Sequence, residues 1–185
     1  MIRTLFGTSA LFAATCAGAI FAAEYPIGMP QEGGGLEGAA VYLQPIVMEP
    51  AGMMTPPTET DIHLEADIHA LGGNPNGLAE GEWVPYLQIG FALSKAASDW
   101  AAEGYLMPML ANDGPHFGDN VQLNGTGEYH LALKVAPPDG TALGRHTDPQ
   151  TGWPPGSTAL AKAMTLRMTG LARRAFTDSR AQGRS

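Results

Sequence analysis

The segment from Asp61 to Ala70 carries the side chains best suited to chemistry in this sequence. Its odd positions read Asp, His, Glu, Asp, His, and its even positions read Ile, Leu, Ala, Ile, Ala. Because successive side chains of a β-strand point to opposite faces, this pattern predicts a strand with one apolar face and one face of titrating groups. A helix would scatter the same residues around its axis, and the two isoleucines also favour a strand.

Within this predicted strand, His63 and Glu65 lie two positions apart on the polar face. That spacing places their side chains roughly 6.5–7 Å apart along the strand, close enough for both to bind one cation. The alternative is a solvated acidic strand in which the two histidines have no chemical role. A row of five such groups on one face favours the metal-binding interpretation.

Three other segments supply further candidate ligands. His116 and His146 lie in predicted loops between glycines and prolines, and Met109 ends a predicted strand just before the first of these loops. A methionine at strand spacing is most often part of the core, but its thioether is also a ligand that favours Cu(I). If these three residues converge with His63, they offer three imidazoles and one thioether. Glu65 would add a hard oxygen donor suited to Cu(II), iron or manganese.

The remaining polar residues support other kinds of site less well. His69 and His130 are expected in strands, at the surface or behind the ligands rather than on the metal. No serine lies in a nucleophile elbow, so a Ser-His-Asp triad has no support. Paired carboxylates for glycoside hydrolysis stay open, although no aromatic platform for a sugar accompanies them.

The first 23 of the 185 residues are typical of a cleaved export signal. Arg3 precedes an apolar run from Leu5 to Ile20, and alanine-rich cleavage options follow. The run is short for a membrane span. Cys16, the only cysteine, lies inside it in a poor lipoprotein cleavage box, so lipid anchoring is not expected. The mature chain would then have no disulfide and no thiol chemistry.

The mature region is acidic and rich in turn-forming residues. From Glu24 to His130, fifteen acidic residues accompany a single basic one, Lys95, and the whole chain has a formal charge of −8. Such a surface repels nucleic acid and concentrates cations. The chain also has 24 glycines and 15 prolines, which indicate many turns rather than a helical bundle.

Short alternating segments with turn signals between them predict an all-β sandwich. The predicted strands cover residues 39–46, 61–70, 83–93, 105–110, 128–135 and 164–168, and residues 112–118 are expected to form a rigid turn. One domain is expected over residues 24–170. A basic, disordered tail is expected over residues 171–185.

Several motifs together resemble those of a known family. They are EYPIG at 24–28, VYLQP at 41–45, DIHLEADIHA at 61–70, NPNG at 74–77, MPM at 107–109, DGPH at 113–116 and RHTD at 145–148. In these motifs the chain is similar to the periplasmic iron-transport proteins of the Tpd type. These are copper- and iron-binding antigens of Gram-negative bacteria, found beside a high-affinity iron permease. After Trp153 the chain departs from the family's aromatic-rich last strand.

The resemblance implies an immunoglobulin-like sandwich, a homodimer and a copper site. By motif, the copper ligands would be His63, Met109, His116 and His146, with Glu65 beside them as a ligand to copper or to a second cation. Iron would be transported or transiently bound, and manganese or zinc would act as substitutes. The expected partners are a second copy of the chain and an inner-membrane iron permease.

The sequence therefore predicts a periplasmic metal-binding protein that assists iron uptake, and not an enzyme. Two alternatives stay open. One is a copper-dependent redox enzyme that acts on iron. The other is a copper-sequestering protein with no role in iron uptake.

Overall fold

The computed structural model describes residues 24–138, 143–144, 146–152 and 164–172, with only the backbone described for the last range. The predicted export signal with Cys16, the divergent stretch after Gly152 up to residue 163, and residues 173–185 of the predicted tail lie outside the described residues. Within the described ranges, no helix is long and apolar enough to cross a membrane.

The described residues form nine strands and one short 3-10 helix, Pro57–Glu59. The strands are β1 (Tyr25–Pro26), β2 (Gln31–Gly33), β3 (Leu36–Leu43), β4 (Ile62–Ala70), β5 (Gln88–Lys95), β6 (Ala101–Leu110), β7 (Pro115–Val121), β8 (Gly127–Ala136) and β9 (Met164–Ala172). The predicted all-β fold class is confirmed. The predicted strand at 61–70 corresponds to β4.

All strand pairs are antiparallel, in the order β1-β3-β4-β7-β6-β5-β8-β9, with β2 also paired to β3. β6 joins the two halves of this sheet, because residues 101–106 pair with β5 and residues 107–110 pair with β7. Pro108 therefore lies where β6 has a single partner, so its missing N–H breaks no ladder on the other side.

The hydrophobic core lies between the two halves of the curled sheet. The apolar residues at alternate positions of β4 are buried, and they belong to the same apolar cluster as alternate residues of β5 and β8 on the other half. Fully buried examples are Leu64, Ile68, Ile89, Leu131 and Leu133. Burying each such side chain stabilises the fold by about 1.5–3 kcal/mol. This packing of face against face is that of the predicted sandwich.

Several predicted boundaries are wrong: β3 covers Leu36–Leu43 rather than 39–46, β6 begins at Ala101 rather than at residue 105, and β9 extends to Ala172, into the range expected for the tail. Trp83 makes only an isolated bridge with His69, and the strand expected from residue 83 begins at Gln88. Tyr86 between them has a φ of 61°, which an extended strand does not allow.

The predicted loop around His116 is also wrong. Of the predicted turn at residues 112–118, only residues 112–114 lie outside a strand. β7 begins at Pro115, and in the sheet it lies between β4 and β6. A proline is acceptable as the first residue of a strand. The strand was hidden in the sequence because polar and small residues (His116, Gly118 and Asn120) alternate along its site-facing side. His116 is therefore held by a central strand.

Candidate metal centre

The polar face of β4 continues across the neighbouring strands. Glu65 pairs with Gly118 of β7, and on the far side of β7 Met109 pairs with His116. Residues opposite each other in an antiparallel ladder, and residues two apart on one strand, project to the same face. His63, Glu65, Met109 and His116 therefore lie on one face of three adjacent strands, opposite the face that packs into the core.

Three of these side chains form a compact set of donors. Glu65 Oε1 lies 3.6 Å from His63 Nε2 and 3.4 Å from His116 Nε2, and the three ligand atoms all lie within 4.8 Å of one another. Metal bonds of about 2.0–2.2 Å, as nitrogen and oxygen make to zinc, separate two ligands of a tetrahedral ion by about 3.3–3.6 Å. We call His63, Glu65 and His116 the donor cluster; its spacing fits a single cation.

Both imidazoles of the donor cluster lack a hydrogen-bond partner on the side that faces Glu65. His63 is 0% and His116 5% exposed, and the Nε2 atom of each is buried without a hydrogen bond. A buried polar atom left unpaired costs about 1–3 kcal/mol. A bound cation would satisfy both atoms at once, so these residues fit a transition metal.

Gly118 keeps the space beside the donor cluster open. A Cβ atom at this position would lie 2.5 Å from His63 Nε2 and 3.2 Å from Met109 Cε. The thioether therefore lies beside the same space as the imidazole, as expected if Met109 contributes to the site. Gly118 was not among the residues predicted from the sequence, although a glycine inside a strand is a known sign of close backbone approach.

Burial keeps His63 neutral. The pKa of this imidazole is lowered to about 4, chiefly by burial and also by the nearby His116, while the hydrogen bond with Asn120 acts in the opposite direction. Neutral imidazole is the form that binds metals, so His63 does not have to lose a proton at neutral pH before a cation binds.

The pKa of Glu65 is shifted in the opposite direction. Burial, as the largest cause, and the negative charges of three neighbouring carboxylates together raise the pKa of this carboxyl group to about 7: Glu24, Asp67 and Asp113. Without a cation, a large part of the Glu65 side chains is therefore protonated near neutral pH. A metal ion would favour the ionised form and displace that proton.

His146 lies outside the donor cluster in the described chain. Its side chain is 78% exposed, and its Nδ1 atom lies 3.1 Å from Thr151 Oγ1 and 3.9 Å from Asp148 Oδ2. Its predicted role as a ligand stays a prediction. His69 and His130, which were not expected to bind the metal, lie on β4 and β8 and do not belong to the donor cluster.

The fold and the donor cluster together define an all-β metal-binding domain. Residues 21–169 match the model of the Fe2+ transport protein family. The chain belongs to this family. The resemblance found in the sequence is thereby confirmed.

Individual relatives agree with this assignment. A UPF0423 protein of Brucella abortus is 50% identical over 157 residues, which cover 82% of this chain and 86% of that protein. The 34 kDa membrane antigen of Treponema pallidum is 40% identical over 132 residues, which cover 70% of this chain and 65% of the antigen.

Solved structures with similar folds include copper-bound ones. Copper-reconstituted P19 of Campylobacter jejuni is 42% identical with a TM-score of 0.74, over 80% of this chain and 96% of that chain. FetP of uropathogenic Escherichia coli, expressed in the periplasm, is 42% identical with a TM-score of 0.73, over 82% of this chain and 97% of that chain.

Proposed function

We propose that this protein is a periplasmic binding protein of iron uptake that holds copper between β4, β6 and β7. The observation that carries the proposal is the pair of buried, unpartnered Nε2 atoms of His63 and His116, with Glu65 Oε1 at 3.6 and 3.4 Å. Copper-bound P19 and membership in the Fe2+ transport protein family support the metal and the process. The predicted export signal supports the compartment.

The ligand types favour copper that changes oxidation state. Imidazole binds both Cu(I) and Cu(II), the thioether of Met109 favours Cu(I), and the carboxylate of Glu65 favours Cu(II) or iron. The adjacent carboxylates give the site a negative potential, which attracts cations. Manganese and zinc as substitutes stay a prediction.

Competitive titration with a chromogenic copper chelator tests the metal site. Replacing His63 or His116 by alanine should abolish tight copper binding, because each change removes a buried imidazole donor. The matched control is His130→Ala, which removes an exposed histidine on β8 in the other half of the sheet. Stoichiometric tight binding by the His63→Ala protein would rule out β4 as the platform for the metal.

Growth under iron limitation tests the biological role. A strain without this gene should grow poorly when iron is scarce, and the wild-type gene should restore growth whereas the His63→Ala gene should not. Equal growth of all strains in low iron, with a defect only under copper stress, would favour copper sequestration instead. The same assay in a strain that lacks the inner-membrane iron permease tests the proposed transient partner. If the two proteins act together, deleting this gene as well should reduce growth in low iron no further than deleting the permease alone.

A redox enzyme is the second candidate, because the mixed thioether and carboxylate donors suit both oxidation states of copper. In the oxidising direction, Fe(II) held by the neighbouring carboxylates would pass one electron to Cu(II), giving Fe(III) and Cu(I), and dissolved dioxygen would reoxidise Cu(I). In the reducing direction, an external electron donor would have to regenerate Cu(I). Steady-state oxidation of Fe(II) distinguishes the two functions. A binding protein should show no more turnover than the equivalent amount of chelated copper, whereas an enzyme should exceed it and lose the excess with His116→Ala.

We also propose a homodimer and a role for His146 within it. Since the exposed His146 lies apart from the donor cluster of its own chain, a second copy is the simplest source of this third imidazole nitrogen. Sedimentation should give the mass of a dimer. His146→Ala should weaken copper binding without changing the folded state, and a monomeric wild-type protein with full copper affinity would contradict the proposal.

A further inference from the structure

We propose that Asn120 is a positioning residue that determines which nitrogen of His63 is available to the metal. It does not touch the metal; it acts through the imidazole. The inference rests on the proposed function only for its consequence in copper binding, since the arrangement of hydrogen bonds is a property of the chain itself.

The orientation of the Asn120 side-chain amide follows from the main chain around it. Oδ1 accepts a hydrogen bond from the N–H of Ile46 at 3.1 Å, and Nδ2 donates to the carbonyl oxygens of Ile46 at 2.8 Å and Thr55 at 3.0 Å. A backbone N–H can only donate and a carbonyl can only accept. The reversed amide would lose all three bonds, so the oxygen and nitrogen positions are determined by these partners.

The amide orientation in turn determines the tautomer of His63. Oδ1 of Asn120 lies 3.0 Å from His63 Nδ1 and can only accept, so Nδ1 carries the hydrogen. A neutral imidazole has one N–H, which leaves Nε2 with a free lone pair. Nε2 is the atom that lies 3.6 Å from Glu65 Oε1 without a hydrogen-bond partner.

Burial strengthens the hydrogen bond between Asn120 and His63. Asn120 is 3% exposed and His63 is 0% exposed, and the two residues are directly paired between β7 and β4. Water does not compete at this site, and a hydrogen bond is stronger in such surroundings than in solvent. Outer partners of this kind typically change metal affinity 10–100-fold when they are removed.

Asn120 also holds the β3–β4 loop at two points, Ile46 and Thr55, so a test has to separate the two roles. Asn120→Asp keeps an acceptor for His63 Nδ1 and for the Ile46 N–H but loses both donors to the loop. Asn120→Leu has a similar size and loses the acceptor as well. Asn124→Leu, at an exposed position three residues after the end of β7, is the control.

The decisive measurement is the nitrogen NMR spectrum of histidine-labelled, metal-free protein at alkaline pH, where the imidazoles are neutral. Wild type, Asn120→Asp and Asn124→Leu should show His63 with a protonated Nδ1 and a bare Nε2. Asn120→Leu should show a mixture of tautomers or a protonated Nε2. Its copper affinity should fall about 10–100-fold, with a smaller loss for Asn120→Asp.

A protonated Nε2 in wild type, or an unchanged tautomer together with unchanged copper affinity in Asn120→Leu, would overturn the inference. If Asn120→Leu does not fold, the wild-type and Asn120→Asp spectra still decide it. The tautomer is measured without metal. A wild-type protein with the expected tautomer but no copper binding would therefore reject the proposed function and leave the positioning role of Asn120 in place.

Discussion

At the scale of single residues, the donor cluster combines groups that are prepared for a cation in different ways. His63 is buried as a neutral base, since burial lowers its pKa to about 4. Glu65 is buried among other carboxylates, and its burial and their negative charges together raise its pKa to about 7. A cation therefore finds the imidazole ready to bind and competes with a proton for the carboxylate.

This competition predicts that Cu(II) binding depends on pH through Glu65. Below the folded-state pKa of about 7 the carboxyl group is protonated, so binding must release that proton and the affinity should rise with pH. Above that value the dependence should level off. Calorimetry near pH 6 in buffers of different ionisation enthalpy should show about one more proton released by wild type than by Glu65→Gln. Equal proton release by both proteins would show that Glu65 is not a ligand.

Met109 should matter chiefly for the reduced metal. Met109→Leu conserves the volume of the side chain and should keep the fold. The thioether is the soft donor among the proposed ligands, so the variant should lose Cu(I) affinity more than Cu(II) affinity. Parallel titrations with chelators specific for each oxidation state measure both losses. Equal losses would remove Met109 from the set of ligands.

At the scale of strands, the site depends on how β4, β6 and β7 are aligned. Gly118 lies opposite Glu65 of β4 on one side and opposite Met107 of β6 on the other. In this row across the three strands, the middle residue is therefore the one without a side chain. That position leaves room for the Nε2 atom of His63 and the thioether methyl group of Met109. The alignment thus places the ligands and also clears the space between them.

Gly118→Ala should therefore damage the site more than the fold. The added methyl group would lie 2.5 Å from His63 Nε2, so the imidazole must turn away from the donor cluster. We expect at least a tenfold loss of copper affinity, and a stability loss of about 1–3 kcal/mol. The control is Gly104→Ala, whose Cβ meets the ring of Phe91 at 2.8 Å on the other half of the sheet. If both variants bind copper like wild type, Gly118 does not define the site.

Strand patterns explain what the sequence reveals and what it hides. β4 and its two ligands were predictable because the alternation of polar and apolar residues is local to one segment. β7 was not predictable from its own sequence. Its polar residues are buried because β7 pairs with β4 and β6, and the residue pattern along β7 does not reveal that pairing. Gly118 and Asn120 were missed for the same reason, since each acts on a residue of another strand.

At the scale of the whole molecule, the acidic composition of the chain has a local counterpart at the donor cluster. The chain has a formal charge of −8, and three carboxylates beside Glu65 concentrate negative charge at the donor cluster. Such a field attracts cations and repels nucleic acid, and salt screens its exposed part. The charge follows from the composition alone, whereas the proposed place of His146 in a homodimer depends on contacts between chains that composition does not determine.

The central claim is that His63 and His116 bind copper through Nε2. X-ray diffraction from copper-loaded crystals, recorded on both sides of the copper absorption edge, tests this most directly. The account predicts one strong anomalous peak per chain on the outer face of β4, β6 and β7, about 2.0–2.2 Å from both Nε2 atoms and next to Glu65. A fully occupied copper peak away from these two nitrogens, with none between them, would contradict it.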